Sequence, residues 1–288
     1  MVTVKEQPLW FKGEKWMVLT GLLGFALALV CGLGALLLGT DETPGSGMAK
    51  AFSFNAALGI FLLSTAAVSP YSGMGRKSRA FFRWSYIALG LYSYFAETVQ
   101  HIRGVNPRFV TDGSAFDLAV ANGFGMVALL LVAYYVVFAA AFFRKRASQL
   151  QRGVVLSVRY AMIAVMFSFI GGICISINGG RYVGLDGNLI WFHGLGFHAL
   201  QVLPIIAWLA WRSAMTERLQ RTLLHIAGVT FIGGLMAIGV QTLLERPLLE
   251  WSLLPLAALA FLVVTTAAGL RACLEAWRLK KGGSTLAG

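Results

Sequence analysis

Apolar runs of about twenty residues dominate the chain and alternate with short polar segments. Runs such as 21–38 and 126–143 are apolar on every face, whereas a transmembrane β-strand would alternate over about ten residues. The pattern predicts an all-α fold, a polytopic transmembrane helix bundle that forms a single integral membrane domain over residues 1–288. The predicted spans lie near 16–38, 51–69, 84–103, 116–143, 154–178, 190–211, 223–244 and 251–272.

Charge is confined largely to the segments between these runs and alternates from one segment to the next. Basic clusters follow the second, fourth and sixth spans and lie at both termini, while the opposite segments are mixed or acidic. By the positive-inside rule, the basic segments and both termini face the cytoplasm. The net charge of +12 therefore indicates topology and contact with anionic membrane lipid, and it does not indicate nucleic-acid binding. We expect a multi-pass protein of a bacterial cytoplasmic (inner) membrane.

Several classes of soluble enzyme are excluded by their missing motifs. The chain has no Walker loop, no Gly-x-Gly-x-x-Gly after a strand and no Gly-x-Ser-x-Gly elbow. Cys31, Cys174 and Cys273 lie in three different spans without short spacing. They predict neither a disulfide framework nor a thiolate metal site.

Ionisable and amide side chains inside the apolar runs concentrate in the third and sixth spans. Glu97 and His101 are four residues apart and share a helix face, as do His198 and Gln201, which are three apart. His193 is five residues from His198 and points to a different side of the helix. Counted along the helices, Glu97 and the three histidines lie in the outer half of the membrane. Because such groups are expensive to bury in a bilayer, they mark a candidate functional site.

Two segments resemble the signature stretches of uncharacterised bacterial polytopic membrane proteins. They are residues 97–109, ETVQHIRGVNPRF, and residues 193–204, HGLGFHALQVLP. The resemblance implies that these residues form the site of that family, and it implies no particular activity.

These residue types favour a membrane oxidoreductase built around haem b. Imidazoles from two helices, His101 with His193 or with His198, are the predicted axial ligands. Gln201 and Arg103 are predicted to contact the same cofactor, with Arg103 placed to hold a haem propionate. A quinone or another small lipophilic molecule is the expected partner.

A variant of this hypothesis replaces haem with a zinc or iron ion. Glu97, His101 and His198 would be its protein ligands and would leave one position open for water or substrate. Glu97 and His198 would then be the catalytic residues. Arg108 would help to hold an anionic headgroup.

Two other functions remain open. In a proton-coupled transporter or a lipid-handling protein, Glu97 with a histidine would carry the proton. The ends of the third and seventh spans are also alike, Gln100 with Arg103 and Gln241 with Arg246, as a four-plus-four helix duplication would place them. In a structural or assembly subunit, the polar side chains would only satisfy one another across helices.

Overall fold

The computed structural model describes residues 9–38, 47–110 and 113–284, and the predicted all-α fold is confirmed. Besides helices, the described chain has two 3₁₀ turns and one antiparallel pair of short strands, β1 (Tyr182–Val183) and β2 (Gly187–Asn188). The helices are α1 (Lys15–Leu38), α2 (Met48–Val68), α3 (Arg76–Ile102), α4 (Ala115–Ala141), α5 (Arg152–Ile177), α6 (Leu189–Arg212), α7 (Glu217–Leu243) and α8 (Leu253–Ser284).

Seven of the eight described helices are long and apolar enough to cross a membrane, as expected of a multi-pass membrane protein. The exception is α3, which is long enough but is the most amphipathic helix of the set. Some of its apolar side chains, including Leu91 and Phe95, are exposed, whereas Ser93, Glu97 and Gln100 are buried. The third predicted span therefore differs from the others because its polar face packs inside the protein.

Two helices begin earlier than their apolar runs. α3 starts at Arg76 and α7 at Glu217, ahead of the predicted 84 and 223. The start of α7 is set by Thr216, whose side chain accepts a hydrogen bond from the Leu219 N–H at 3.4 Å. Helical hydrogen bonding thus continues into the basic segments, where hydropathy has already fallen.

The chain divides into two compact units, which we call unit 1 (Met1–Ala141) and unit 2 (Phe142–Gly288). Unit 1 contains α1–α4 and unit 2 contains α5–α8. In each unit the first helix packs on the second and the third packs on the fourth. The single membrane domain predicted for residues 1–288 stays a prediction.

The two units repeat one helix pattern at a spacing of 141 residues. α2 and α6 begin 141 residues apart, and α3 and α7 both begin and end at that spacing. Every residue buried in α3 has a buried counterpart in α7. These pairs are Phe82 and Leu223, Tyr86 and Ala227, Ile87 and Gly228, Gly90 and Phe231, Ser93 and Gly234, Tyr94 and Leu235, Ala96 and Ala237, Glu97 and Ile238, Gln100 and Gln241, and His101 and Thr242.

The cores of the two units are filled differently. In unit 1, Tyr135 packs against the rings of Phe61 and Tyr86, with centroids 4.9 and 5.6 Å away. In unit 2 the helices approach through small residues, and a Cβ added at Gly196 would meet the Ser168 hydroxyl and the Ala164 carbonyl. The same helix pattern therefore holds bulky, partly polar side chains around Tyr135 in unit 1 and a close backbone contact at Gly196 in unit 2.

Candidate functional site

The last turn of α3 holds a buried carboxylate between two basic groups. Glu97 is fully buried, and its Oε1 accepts from Arg108 Nε at 2.7 Å and contacts Arg108 Nη2 at 2.6 Å. Its Oε2 lies 3.2 Å from His101 Nε2, one helical turn away. We call Glu97, His101 and Arg108 the outer cluster, since the positive-inside rule places this end of α3 outside. A charge buried this completely is tolerated because it is paired and hydrogen-bonded.

Both nitrogens of His101 have a partner. Its Nδ1 accepts a hydrogen bond from the backbone N–H of Gly47 at 3.1 Å. An amide N–H can only donate, so in the neutral imidazole the proton lies on Nε2 and is donated to Glu97. In this arrangement His101 offers no lone pair to a haem iron or a metal ion.

The turn after α3 carries Arg108 back over Glu97. Asn106 precedes Pro107, and its Oδ1 accepts a hydrogen bond from the Arg108 N–H at 2.9 Å, as in an Asx turn. The guanidinium carbon of Arg108 then lies 5.1 and 5.7 Å from the ring centroids of Phe54 on α2 and Phe124 on α4. The two ring centroids are only 6.0 Å apart, so both cation–π contacts hold the guanidinium from neighbouring directions.

A second polar group joins the end of α3 to the start of α4. Asp117 Oδ1 accepts from Gln100 Nε2 at 2.9 Å and from Arg103 Nη1 at 2.7 Å. Asp117 and Ser114 also cap the first turn of α4, because each side chain accepts a hydrogen bond from the other's backbone N–H. We call Gln100, Arg103, Ser114 and Asp117 the Gln100 latch.

Unit 2 has a counterpart of this latch. Gln241, 141 residues after Gln100, is buried and donates from Nε2 to Glu250 Oε2 and to the Pro247 carbonyl, both at 2.9 Å. The backbone that follows each glutamine is also alike, since Gly104 and Glu245 both adopt positive φ where their helices end. A glutamine bonded to an acidic residue near the next helix is therefore part of the shared architecture.

The outer cluster has no such counterpart. Ile238 and Thr242 occupy the positions of Glu97 and His101 in unit 2, and both are buried. The fold thus accommodates an apolar residue where unit 1 buries a carboxylate. This difference separates Glu97 from the polar residues that both units require.

The remaining predicted site residues lie on α6 in unit 2. His193 Nδ1 donates to the Ser168 carbonyl at 2.7 Å, and its ring packs against Gly172 of α5. His198 is exposed, and its Nδ1 lies 3.0 Å from Gln201 Oε1, the contact that their spacing of three favours. The proposed haem and metal sites combine these residues with His101 or Glu97 of unit 1 and stay predictions. Among the residues that the structure describes, no group of three or more His, Cys, Asp or Glu side chains is placed to hold a metal ion.

The structure adds partners that were not predicted. Arg108, which is expected to hold an anionic headgroup, binds Glu97, and Asp117 binds Arg103. The sequence contains a local signal for each position: Asn106-Pro107 favours a turn before Arg108, and Ser114-x-x-Asp117 is a helix-capping pattern that places Asp117 at the start of α4. Glu14, which is fully buried just before α1, had no such signal.

Comparison of the chain with protein-family models, curated proteins and solved structures finds no match in any of the three.

Proposed function

We propose that the protein is a proton-coupled membrane transporter in which the outer cluster binds the proton. The observation that carries this proposal is the fully buried Glu97 carboxylate, held between the guanidinium of Arg108 and the imidazole of His101. Two hydrogen-bonded titratable groups can take up one proton as a pair. The outer cluster is therefore suited to gain or lose a proton during a transport cycle.

The charge balance of the cluster suggests the class of solute. With Glu97 ionised and His101 neutral, one negative charge offsets the positive charge of Arg108. When the pair takes up a proton, Arg108 loses its counter-charge. The side chain of Arg108 is 38% exposed, so an anion can reach it, and guanidinium groups bind carboxylates and phosphates in a fork geometry. We infer that one proton and one anionic solute are taken up together.

The repeated helix pattern supports transport over a purely structural role. Many secondary transporters are built from internal structural repeats. In this protein the repeat is asymmetric, since the buried carboxylate of Glu97 corresponds to the apolar Ile238. The site would open to the outside of the cytoplasmic membrane, the side assigned by the positive-inside rule.

A redox function needs a different arrangement of the same side chains. Haem or metal ligation by His101 requires the imidazole to release either Gly47 or Glu97. Uptake of one proton from solution by the Glu97 carboxylate does not require His101 to release Gly47, since the imidazole Nε2–H can still donate to the protonated carboxyl. The described geometry therefore favours the transport proposal.

The test is proton uptake on anion binding by the purified protein in weakly buffered detergent. Gluconate, succinate and inorganic phosphate are the probes, and a pH-indicator dye is the readout. We expect one of them to cause uptake of about one proton per protein, with loss of that uptake in Glu97→Gln and loss of anion binding in Arg108→Gln.

Glu275→Gln is the matched control, because Glu275 forms an exposed ion pair with Arg278 and should leave uptake unchanged. A Soret band that shifts on reduction, or stoichiometric bound metal, would overturn the transport proposal in favour of redox chemistry. Unchanged uptake in Glu97→Gln would remove the outer cluster from the mechanism.

A further inference from the structure

A second buried carboxylate lies at the opposite end of unit 1. Glu14 is fully buried immediately before α1, and its Oε1 accepts from the Ser69 hydroxyl at 3.2 Å. Arg79 Nε and Arg83 Nη1, both on α3, lie 3.4 and 3.5 Å from its carboxylate oxygens. We call Glu14, Ser69, Arg79 and Arg83 the inner cluster. Unit 1 thus has a buried acid with basic partners at each end of α3.

Buried polar groups continue inward from the outer cluster. Asn55 Nδ2 donates to Thr98 Oγ1 at 3.0 Å and lies 3.8 Å from Cys31 Sγ. The Tyr94 hydroxyl packs against Gly24 of α1, where an added Cβ would also come within 2.8 Å of the Asn55 carbonyl. These side chains place polar atoms from three helices at one level.

Two polar atoms at this level have no protein partner. They are Asn55 Oδ1 and the Tyr94 hydroxyl, both buried and without a hydrogen bond to any described residue. Buried polar groups of this kind are usually satisfied by internal water. A hydrated layer directly inward of Glu97 is the simplest way to satisfy them.

A further polar layer lies towards the inner cluster. The hydroxyls of Thr65 on α2 and Tyr135 on α4 are 3.2 Å apart, and both side chains are fully buried. The ring of Tyr86 lies against Tyr135. Between this layer and Asn55, the fully buried Leu62 packs against Gly90 of α3. From the outer cluster inward, a polar layer at Asn55 and Tyr94 is therefore followed by an apolar layer at Leu62 and then by a second polar layer at Thr65 and Tyr135.

The series of layers is long enough to cross most of a bilayer. Asn55 on α2 and Ser69, the residue that follows α2, are fourteen residues apart, as are Glu97 and Arg83 on α3. This spacing corresponds to about 21 Å along a helix. The apolar core of a bilayer is about 30 Å thick. The two clusters therefore lie near opposite faces of the membrane.

Unit 2 shows that the helix pattern does not require these groups. Arg79 and His101 have polar counterparts 141 residues later, Gln220 and Thr242, but seven other residues have counterparts that are apolar and buried. They are Gly196 for Asn55, Ile206 for Thr65, Ala210 for Ser69, Leu224 for Arg83, Ala227 for Tyr86, Leu235 for Tyr94 and Ile238 for Glu97. A purely structural role does not explain why only one copy of the pattern contains them.

We propose that protons cross unit 1 between Glu97 and Glu14, with Asn55, Tyr94, Thr65 and Tyr135 as the intervening polar groups. A proton enters on the outer cluster, passes Leu62 when that layer admits water, and leaves from Glu14 to the inner solution. Only protons move, so no electron donor or acceptor is needed. This proposal rests on the proposed function and adds the inner proton-release group.

The surroundings of Glu14 suit that role. Burial raises the pKa of Glu14, and the positive charges of Arg83 and Arg79 together with the Ser69 hydrogen bond oppose that rise. The arginines also limit the cost of leaving the carboxylate ionised between transfers. Glu14 can therefore exist in both protonation states without leaving its pocket.

The experiment compares transmembrane proton flux with proton uptake in detergent. Full-length protein is reconstituted in vesicles containing a pH-sensitive dye, with gluconate, succinate and phosphate present and charge movement clamped by potassium and valinomycin. For Glu14→Gln we expect normal uptake in detergent but a flux that is lower by at least roughly tenfold. Normal flux in Glu14→Gln would overturn the inner proton pathway.

A second, milder variant keeps the proposal testable if Glu14→Gln does not fold. Tyr94→Phe removes only the buried hydroxyl and should also lower flux. The matched control Tyr92→Phe, on the same helix, removes a hydroxyl that bonds to the Val120 carbonyl and should leave flux unchanged. Equal flux in both tyrosine variants would contradict the proposed route.

The two proposals fail in different ways. Loss of uptake in Glu97→Gln together with normal flux in Glu14→Gln and Tyr94→Phe rejects the pathway and keeps the transporter. Absence of anion-dependent uptake in the unmodified protein rejects the transporter. Flux that persists in Glu97→Gln rejects both.

Discussion

Removal of Arg108 should destabilise the protein much more than removal of Glu97. In Arg108→Met the fully buried carboxylate of Glu97 loses its cation and retains only His101. In Glu97→Gln the unpaired group is instead an arginine whose side chain is 38% exposed and can extend towards water. Removing Arg108 should therefore lower the free energy of unfolding more than removing Glu97, because the side chain left without a partner is more deeply buried in the first case.

The magnitudes follow from that burial. Breaking a fully buried pair costs about 3–5 kcal/mol, and the partial exposure of Arg108 places Arg108→Met near about 3 kcal/mol. That corresponds to roughly a hundredfold change in the unfolding equilibrium. Glu97→Gln should cost about 1 kcal/mol, which is typical of one lost hydrogen bond. The double variant should be more stable than Arg108→Met because it contains no buried unpaired charge.

The assay is a double-mutant cycle on the free energy of unfolding by SDS in mixed micelles. We expect a coupling energy above about 1 kcal/mol, which separates interacting from independent sites. Leu91→Ala, an exposed position on the same helix, is the control for general loss of helix stability. Additive effects of Arg108→Met and Glu97→Gln would refute the reasoning.

Three further predictions test other parts of the structure. Because the pKa of Glu14 is raised, the folded protein binds that proton more tightly than the unfolded chain. The free energy of unfolding should therefore fall as pH rises from the ordinary carboxyl range through the raised pKa, and Glu14→Gln should flatten this slope in pH-dependent thermal melts. Gln100→Leu and Gln241→Leu should each lower the free energy of unfolding by about 1–3 kcal/mol, because each leaves a buried acceptor without its amide donor; a loss of uptake in Gln241→Leu without such destabilisation would contradict a purely architectural role. A cysteine at Gly113 should react with an impermeant thiol reagent from outside, one at Ser148 should not, and the reverse labelling would invert the topology.

Much of the fold was predictable because hydropathy is a local property of the chain. The positions of the eight helices follow from runs of apolar residues, and the contacts of Glu97 with His101 and of His198 with Gln201 follow from helical spacing. α3 was predicted as a span that contains a carboxylate and an imidazole, but its amphipathic character was not predicted. Its polar face turns inward because lipid favours apolar side chains on the outside.

The candidate site was only partly predictable. Nothing local indicates that the Gly47 N–H reaches His101, since this contact joins segments separated along the chain. The Asn106-Pro107 turn was a local signal that the chain reverses at Arg108, but it did not identify Glu97 as the partner. Glu14 is flanked by lysines at 12 and 15, a setting that resembles an ordinary membrane interface. Its burial depends on Ser69 and α3.

The sequence alone determined that the protein is a helical membrane bundle, because each helix needs only its own residues to satisfy its backbone and match a bilayer. Only the tertiary structure decided which polar side chains meet. It also showed that unit 1 buries polar groups where unit 2 buries apolar ones. Pairing of distant charges depends on how helices pack, and that information is spread over the whole chain rather than contained in any one segment.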